Sequence, residues 1–375
     1  VITPSFACRA AGVCFAALLC TGALIGATQN VRAASSEIEG FPTRVGRPGT
    51  LGGVTVADLQ RDGRPEIIVV SGEGVAATDA AGQVLPGFPA ILRNLQDAQQ
   101  LMLEAAPTVC DLDGDGTSEI AVAGSDRRLY AVTASGRMAP GYPVPLDGVV
   151  RGPLACMPQA SGRRRDLVAV TDAGSLTVAP GEGGSAKRIA RLGKGAESGV
   201  AVADLEGDGN LEIIAVGGDA GVYVVDRTGR ARRGFPYKMT YRAAGVPAIG
   251  DIDDDGVLDI VVGSQDFKVH AIDAGGKSLA GFPLATAYRI YGGVSLVDLT
   301  DDGVLDGAVG SADGKLYAFD GHGKTLDGFP VDLGGRLVSD IAAGDVDRDG
   351  LPELALVTQG GALALLDAHG RPVKP

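Results

Sequence analysis

The sequence predicts an all-β fold, a seven-bladed β-propeller of four-stranded blades. Three observations carry that expectation: an acidic cassette that returns at a near-constant period, four short strand patterns in each period, and chain ends that complete one another. The cassettes are DLQRDGRPEI from Asp58, DLDGDGTSEI from Asp111, DLEGDGNLEI from Asp204, DIDDDGVLDI from Asp251, DLTDDGVLDG from Asp298 and DVDRDGLPEL from Asp345. The last four start 47 residues apart, whereas 93 residues, close to two periods, separate Asp111 from Asp204. A degenerate copy near Pro158, CMPQASGRRRDL, fills that gap without the aspartates and makes seven units.

Within the fifth unit, GVPAIGD is an apolar run before the acidic loop, DIVVGS follows it, KVHAID comes after a tight turn, and AGFPL closes the unit. Nothing between these runs is long enough for a crossover helix. Four strands in a period of about 40 to 50 residues is the pattern of propeller blades. The seventh unit stops at LALLDAHGRPVKP, after its third strand, and the Gly-Phe-Pro that opens the fourth strand elsewhere stands at Gly40, Phe41 and Pro42. The N-terminal strand is therefore expected to join the last blade and close the ring, covering two strand edges. Residues 93–105, RNLQDAQQLMLEA, lengthen the spacing between the first two cassettes and read as a tolerated surface loop or a short helix.

Residues 1–33 read as a secretory signal peptide: Arg9 precedes an apolar run from Ala10 to Ala27, and Val31-Arg32-Ala33 offers a small-x-small cleavage pattern. Residues 34–375 then form a single propeller domain that is secreted, periplasmic or at the cell surface, with no stable membrane span in the mature chain. Two cysteines remain outside the leader, Cys110 and Cys156, each read as ending the first strand of adjacent blades where other units place Ala57, Ala203, Gly250 and Gly344. Buried cysteine meets that demand for a small residue, and an exported protein also permits a disulfide there.

The cassette carries the chemistry. Carboxylates at positions 1, 3, 5 and 9 of a tight loop, with glycine at 6, converge as oxygen ligands of the kind calcium prefers. Asp251, Asp253, Asp255 and Asp259 form the most complete set, followed by Asp111, Asp113, Asp115 with Glu119 and Asp345, Asp347, Asp349 with Glu353. A longer carboxylate fills position 3 in Asp204, Glu206, Asp208 and Glu212. The weaker sets are Asp58, Asp62 and Glu66, where Gln60 interrupts, and Asp298, Asp302 and Asp306, where Thr300 does. One such loop alone could be an aspartate-capped turn that needs no metal; six aligned copies favour Ca2+. The net charge of −13 becomes −15 without Arg9 and Arg32, and six divalent ions would bring it to about −3, so the acidity reads as metal demand, and nucleic acid is not expected as a partner.

On these repeats the chain resembles the FG-GAP and VCBS repeat proteins, the calcium-binding propellers of integrin α-subunit heads and of many exported bacterial proteins, over residues 40–375. The resemblance implies calcium in the loops between first and second strands and ligands on the opposite face. It departs at Gly124-Ser125, Gly263-Ser264 and Gly310-Ser311, which stand where the integrin pattern has Gly-Ala-Pro, so integrin partner specificity does not carry over.

No catalytic constellation recurs. His270 occupies the slot of Tyr130, Tyr223 and Tyr317, His322 and His369 lie in equivalent turns, and tryptophan, present in quinoprotein and sialidase repeats, is absent. A non-catalytic adhesion, protein-interaction or scaffold module is expected, its partner an extracellular protein. A glycan-binding propeller, or less so a polysaccharide lyase, is the alternative. Arg242, Arg289 and Arg336 stand nine residues before successive cassettes, with Tyr241 and Tyr288 preceding two of them. They are expected on the rim opposite the metals, either paired with Asp126, Asp219, Asp266, Asp313 and Glu73 as framework or forming a pocket for a carboxylate or sulfate.

Overall fold

A computed structural model describes residues 51–373, save Glu73, residues 93–100, Glu104, Ser161 and Glu197. The leader, the Gly40–Pro42 segment expected to close the ring, the start of the 93–105 insertion and Glu73 lie outside the described residues. Among these, the chain forms a seven-bladed β-propeller and contains no helix. Blade 5 is representative, with antiparallel strands Ala243–Gly250, Asp259–Ser264, Lys268–Ile272 and Leu284–Ala285 running outward in chain order. Six blades have four described strands and the last has three, Ala342–Gly344, Glu353–Val357 and Leu363–Leu366, where the sequence pattern stops short. The innermost strands of successive blades pack side by side, which arranges the sheets radially.

The core lies between blades, and the period-2 alternation of each strand builds it. In blade 5, Ile260 and Val262 face blade 4 and pack with Leu205, Ile214 and Val216, while Val261 faces blade 6 and packs with Val309 and Phe319. In blade 2, Ile120 and Val122 serve the junction with blade 1, and Ala121 and Ala123 the junction with blade 3. Fully burying each Val, Ile or Leu contributes roughly 1.5–3 kcal/mol. Phe319 fits only because its cross-strand neighbour is Gly307; a Cβ there would collide with the ring. The end of the 93–105 insertion joins this packing, since Leu101 and Leu103 are buried and the Leu103 amide donates to the Gly72 carbonyl at 3.0 Å.

The junction between blades 2 and 3 has an additional tie. Cys110 and Cys156 form a disulfide across it, with Cα atoms 6.6 Å apart. Cys110 ends its strand as expected, but Cys156 is the second residue of Ala155–Pro158, which continues to the degenerate cassette. The basic loop of blade 3 rests on the neighbouring acidic loop: the Arg165 amide donates to the Leu112 carbonyl at 3.3 Å, and Arg164 Nε to the Asp113 carbonyl at 3.3 Å.

Candidate metal loops and the opposite rim

Each cassette connects the innermost strand to the second, and strand register places its ninth residue directly across from the last residue of the innermost strand. Asp259 pairs with Gly250, Glu119 with Cys110, Glu212 with Ala203 and Glu353 with Gly344. A Cβ on Gly250 would press on Leu296 and Leu305 of blade 6, which accounts for the small residue there. The first aspartate then organises the loop. Asp251 accepts the amides of Asp255 and Gly256 at 3.1 and 2.9 Å, Asp204 those of Asp208 and Gly209 at 3.0 and 2.7 Å, and Asp58 those of Asp62 and Gly63 at 3.0 and 2.9 Å. The fifth residue accepts the amide of the seventh, as Asp255 does from Val257 and Asp349 from Leu351, both at 2.8 Å.

Two positions have left-handed backbone. The glycine at position 6 has φ of 82–101° in all six loops, from Gly63 to Gly116. Position 4 shares this conformation, filled by Gly114 and Gly207 but also by Arg61, Asp254, Asp301 and Arg348. Sequence inspection picked out only the invariant glycine, because position 4 varies and so gives no residue signal.

The ninth carboxylate is buried in every loop: Glu66, Glu119, Glu212, Asp259, Asp306 and Glu353. One oxygen accepts the amide of the second cassette residue, at 2.8 Å from Leu112 to Glu119 and 3.2 Å from Ile252 to Asp259. Burial raises all six titrations above the ordinary carboxylate range, and Glu119 and Asp259 are pushed up to about 7, with the neighbouring loop aspartates adding to the effect.

In three loops carboxylate oxygens gather within 4.8 Å of one another: Asp111, Asp113 and Asp115; Asp251, Asp253 and Asp255; and Asp345, Asp347 and Glu353. These are the three sets ranked highest from sequence. Glu119, Asp259 and Asp349 sit beside their groups without completing that convergence. The chemistry of the donors fits a hard cation. In blade 5 a further observation supports the fit: Asp253 Oδ1 is buried with no hydrogen-bond partner, and burial, then Asp255 and Asp251, raise its pKa.

Among the described residues the other three loops form no such group. In blade 4 a protein cation stands among the acids instead. Arg232 pairs with Glu206, lies 3.3 Å from Glu212 and donates from Nε to the Ala274 carbonyl at 2.9 Å. Its amide bonds back to the third strand just as those of Leu85, Ala139, Leu279 and Leu326 do in other blades, so an arginine occupies an otherwise apolar slot. That substitution is visible when the repeats are aligned, yet inspecting the cassettes alone misses it.

At the far ends of these strands lies the rim that carries the arginines. The carbonyls of Arg242, Arg289 and Arg336 accept the amides of Gln265, Ala312 and Gln359 at 3.0, 2.9 and 2.8 Å, which confirms their equivalence. The acids of the rim have partners within their own blades. Asp126 takes the Tyr130 hydroxyl at 2.6 Å and Arg128 at 3.3 Å, Asp313 takes the Tyr317 hydroxyl at 2.6 Å, and Asp219 takes Tyr223 and Lys238. In blade 5 the tyrosine slot holds His270, whose Nε2 meets Asp266 at 3.1 Å while Nδ1 meets the Tyr237 hydroxyl at 3.1 Å. Burial lowers the His270 pKa. Arginines instead meet aromatic rings: Arg289 lies 5.6 Å from the Tyr241 centroid and Arg336 5.7 Å from that of Tyr291. Phe267, absent from the sequence reading of this rim, stacks on Tyr288 with centroids 5.4 Å apart.

No known family model matches the chain, and no curated protein does. Solved structures do. A computationally designed protein, Ika8, is 14% identical with a TM-score of 0.58, covering 85% of this chain and 84% of its own. BBS1N, solved in complex with ARL6DN, is 15% identical with a TM-score of 0.57, covering 86% of this chain and 93% of its own. At these identities the likeness is one of fold, and the chain is similar to both as a propeller.

Proposed function

We propose that this propeller is an exported, calcium-stabilised interaction module without catalytic activity, of the FG-GAP/VCBS type. The calcium reading rests on one observation above the rest: Asp253 Oδ1, buried and unpartnered beside Asp251 and Asp255, is an arrangement that a cation relieves. Asp111, Asp113 and Asp115 would hold a second ion and Asp345, Asp347 and Glu353 a third. Bound calcium would supply charge neutralisation that locks the loops between blades' first two strands.

The non-catalytic reading is supported by His270, whose contact with Asp266 replaces the Tyr–Asp contact of blades 2, 4 and 6. The interaction reading is supported by the opposite rim, where exposed Tyr241, Phe267 and Tyr288 stand beside arginines, the residue types that dominate binding hot spots. Calorimetric calcium titration of the metal-stripped protein tests the first part, with three sites expected. Cross-linking on the surface of the source cell tests the second; recovery of saccharide alone would transfer the function to the glycan-binding alternative.

A further inference from the structure

We infer that the rim of blades 4 to 7 recognises an acidic segment of a partner protein that also presents an apolar side chain, an inference that rests on the interaction reading above. The surface has two connected parts. A cleft of about 360 Å³ is lined by Lys194, Ser198 and Arg242 among others, and Asp172 on its wall is turned to the Val149 amide at 2.9 Å. From Arg242 the chain passes directly to Tyr241, where an aromatic ledge begins. Arg289 crosses from blade 6 to the Tyr241 ring, and Arg336 crosses from blade 7 to the Tyr291 ring. Phe267 and Tyr288 stack on each other, linking blades 5 and 6.

Three observations choose the occupant. First, positive side chains gather here in a chain of net charge −13, and Arg289 Nε is buried without a hydrogen-bond acceptor. Guanidinium groups held by ring stacking are pre-organised for a carboxylate, so little entropy is lost when one docks. Second, Phe267 sits at φ +71°, in the turn slot that Gly174, Gly314 and Gly361 fill in three other blades and Arg127 and Ala220 in two more, so it is the one aromatic residue there. A bulky residue is strained in that conformation, and Phe267 is 39% exposed, which leaves apolar surface open to a partner. Third, the ring slab and the cations adjoin, which suits a peptide that alternates apolar and acidic side chains. A sugar would instead want open ring faces, and arginines already cover one face each of Tyr241 and Tyr291.

The test is selection of phage-displayed random dodecapeptides on the full chain in calcium, followed by affinity measurement with a synthetic selected peptide and its Glu→Gln counterpart. Peptides rich in Asp or Glu with one or two apolar residues are expected, with binding about tenfold weaker for Arg289→Gln/Arg336→Gln and for the neutral peptide. Phe267→Gly provides a second variant that relieves the backbone; it should keep or raise the melting temperature while weakening the same peptide several-fold. Selected peptides without acidic excess, or unaffected by all these variants, would overturn the rim assignment and leave the interaction reading standing. Arginine-dependent binding of uronic or sulfated oligosaccharides with no peptide enriched would overturn the protein occupant. Binding of neither probe would overturn both readings.

Discussion

Arg232 places its guanidinium 3.3 Å from the Glu212 carboxylate and pairs with Glu206 as well, so the acidic loop of blade 4 is met by a cation from its own blade. Arg232→Leu restores the side chain that this slot carries as Leu85, Leu279 and Leu326. It also removes the guanidinium from the buried Glu212, which keeps the Leu205 amide, at a cost of roughly 1–3 kcal/mol. In chelator the variant should melt at a lower temperature; with calcium added it should recover and bind one more ion than the parent by calorimetry. An unchanged stoichiometry would mean that the arginine does not stand in for a metal.

Calcium should contribute to stability by mass action. A site with Kd of about 10⁻⁴ M in about 1 mM calcium gains roughly 1.4 kcal/mol, and three such sites about 4 kcal/mol, a large part of a usual net stability of about 5–15 kcal/mol. Chelator should therefore lower the melting temperature strongly. Asp255→Ala should abolish more of the calcium-dependent shift than Asp302→Ala, because only the first removes a member of a converged group. Identical melting curves with and without chelator would rule out the calcium reading.

The buried ninth carboxylates give the metal-free protein an inverted pH response. Burial raises Glu119 and Asp259 from about 4 to about 7, so the folded state holds these protons more tightly than the unfolded chain. Their stabilising share is complete below the ordinary carboxylate range and is lost as pH rises through about 7. Calcium acts in the opposite sense, since cation binding favours the deprotonated groups. The gap in melting temperature between calcium and chelator should thus widen from about pH 5 to pH 8. Asp259→Asn should flatten the chelator curve.

Disulfide reduction should act locally. The Cys110–Cys156 bridge closes a loop with a sequence separation of 46, for which chain entropy predicts about 4 kcal/mol of stabilisation at most. Blade 3 lacks an acidic loop, and this bridge and the Arg164 and Arg165 contacts add to the apolar packing and the Thr108–Leu154 hydrogen bond that tie its inner end to blade 2. Cys156→Ser should lower the melting temperature even in saturating calcium, and hydrogen exchange should rise first in Ala155–Pro158 and Thr108–Cys110. Uniform exchange across all blades would argue against a local role.

Much of this was legible in the sequence because a repeat converts weak local signals into aligned ones. Period and strand pattern set the propeller and the blade boundaries. Aspartate at the first, third and fifth cassette positions together marks the three loops in which carboxylates gather, although the ninth residue joins only in blade 7, where Glu353 takes the place of Asp349. The arginines on the opposite rim followed from register alone.

Contacts between blades were not legible, because they join residues that no local spacing relates. Whether Cys110 and Cys156 bond depends on the geometry of two strands from different sheets. Arg232 turns toward Glu206 and Glu212 because its blade's third-to-fourth strand loop packs beside that acidic loop, and Phe267 reaches Tyr288 across a blade boundary. The repeat sequence determined the blades and the chemical inventory at each end of them. Packing of one blade on the next, driven by burial of the alternating faces, decided which cation, ring or thiol meets which partner.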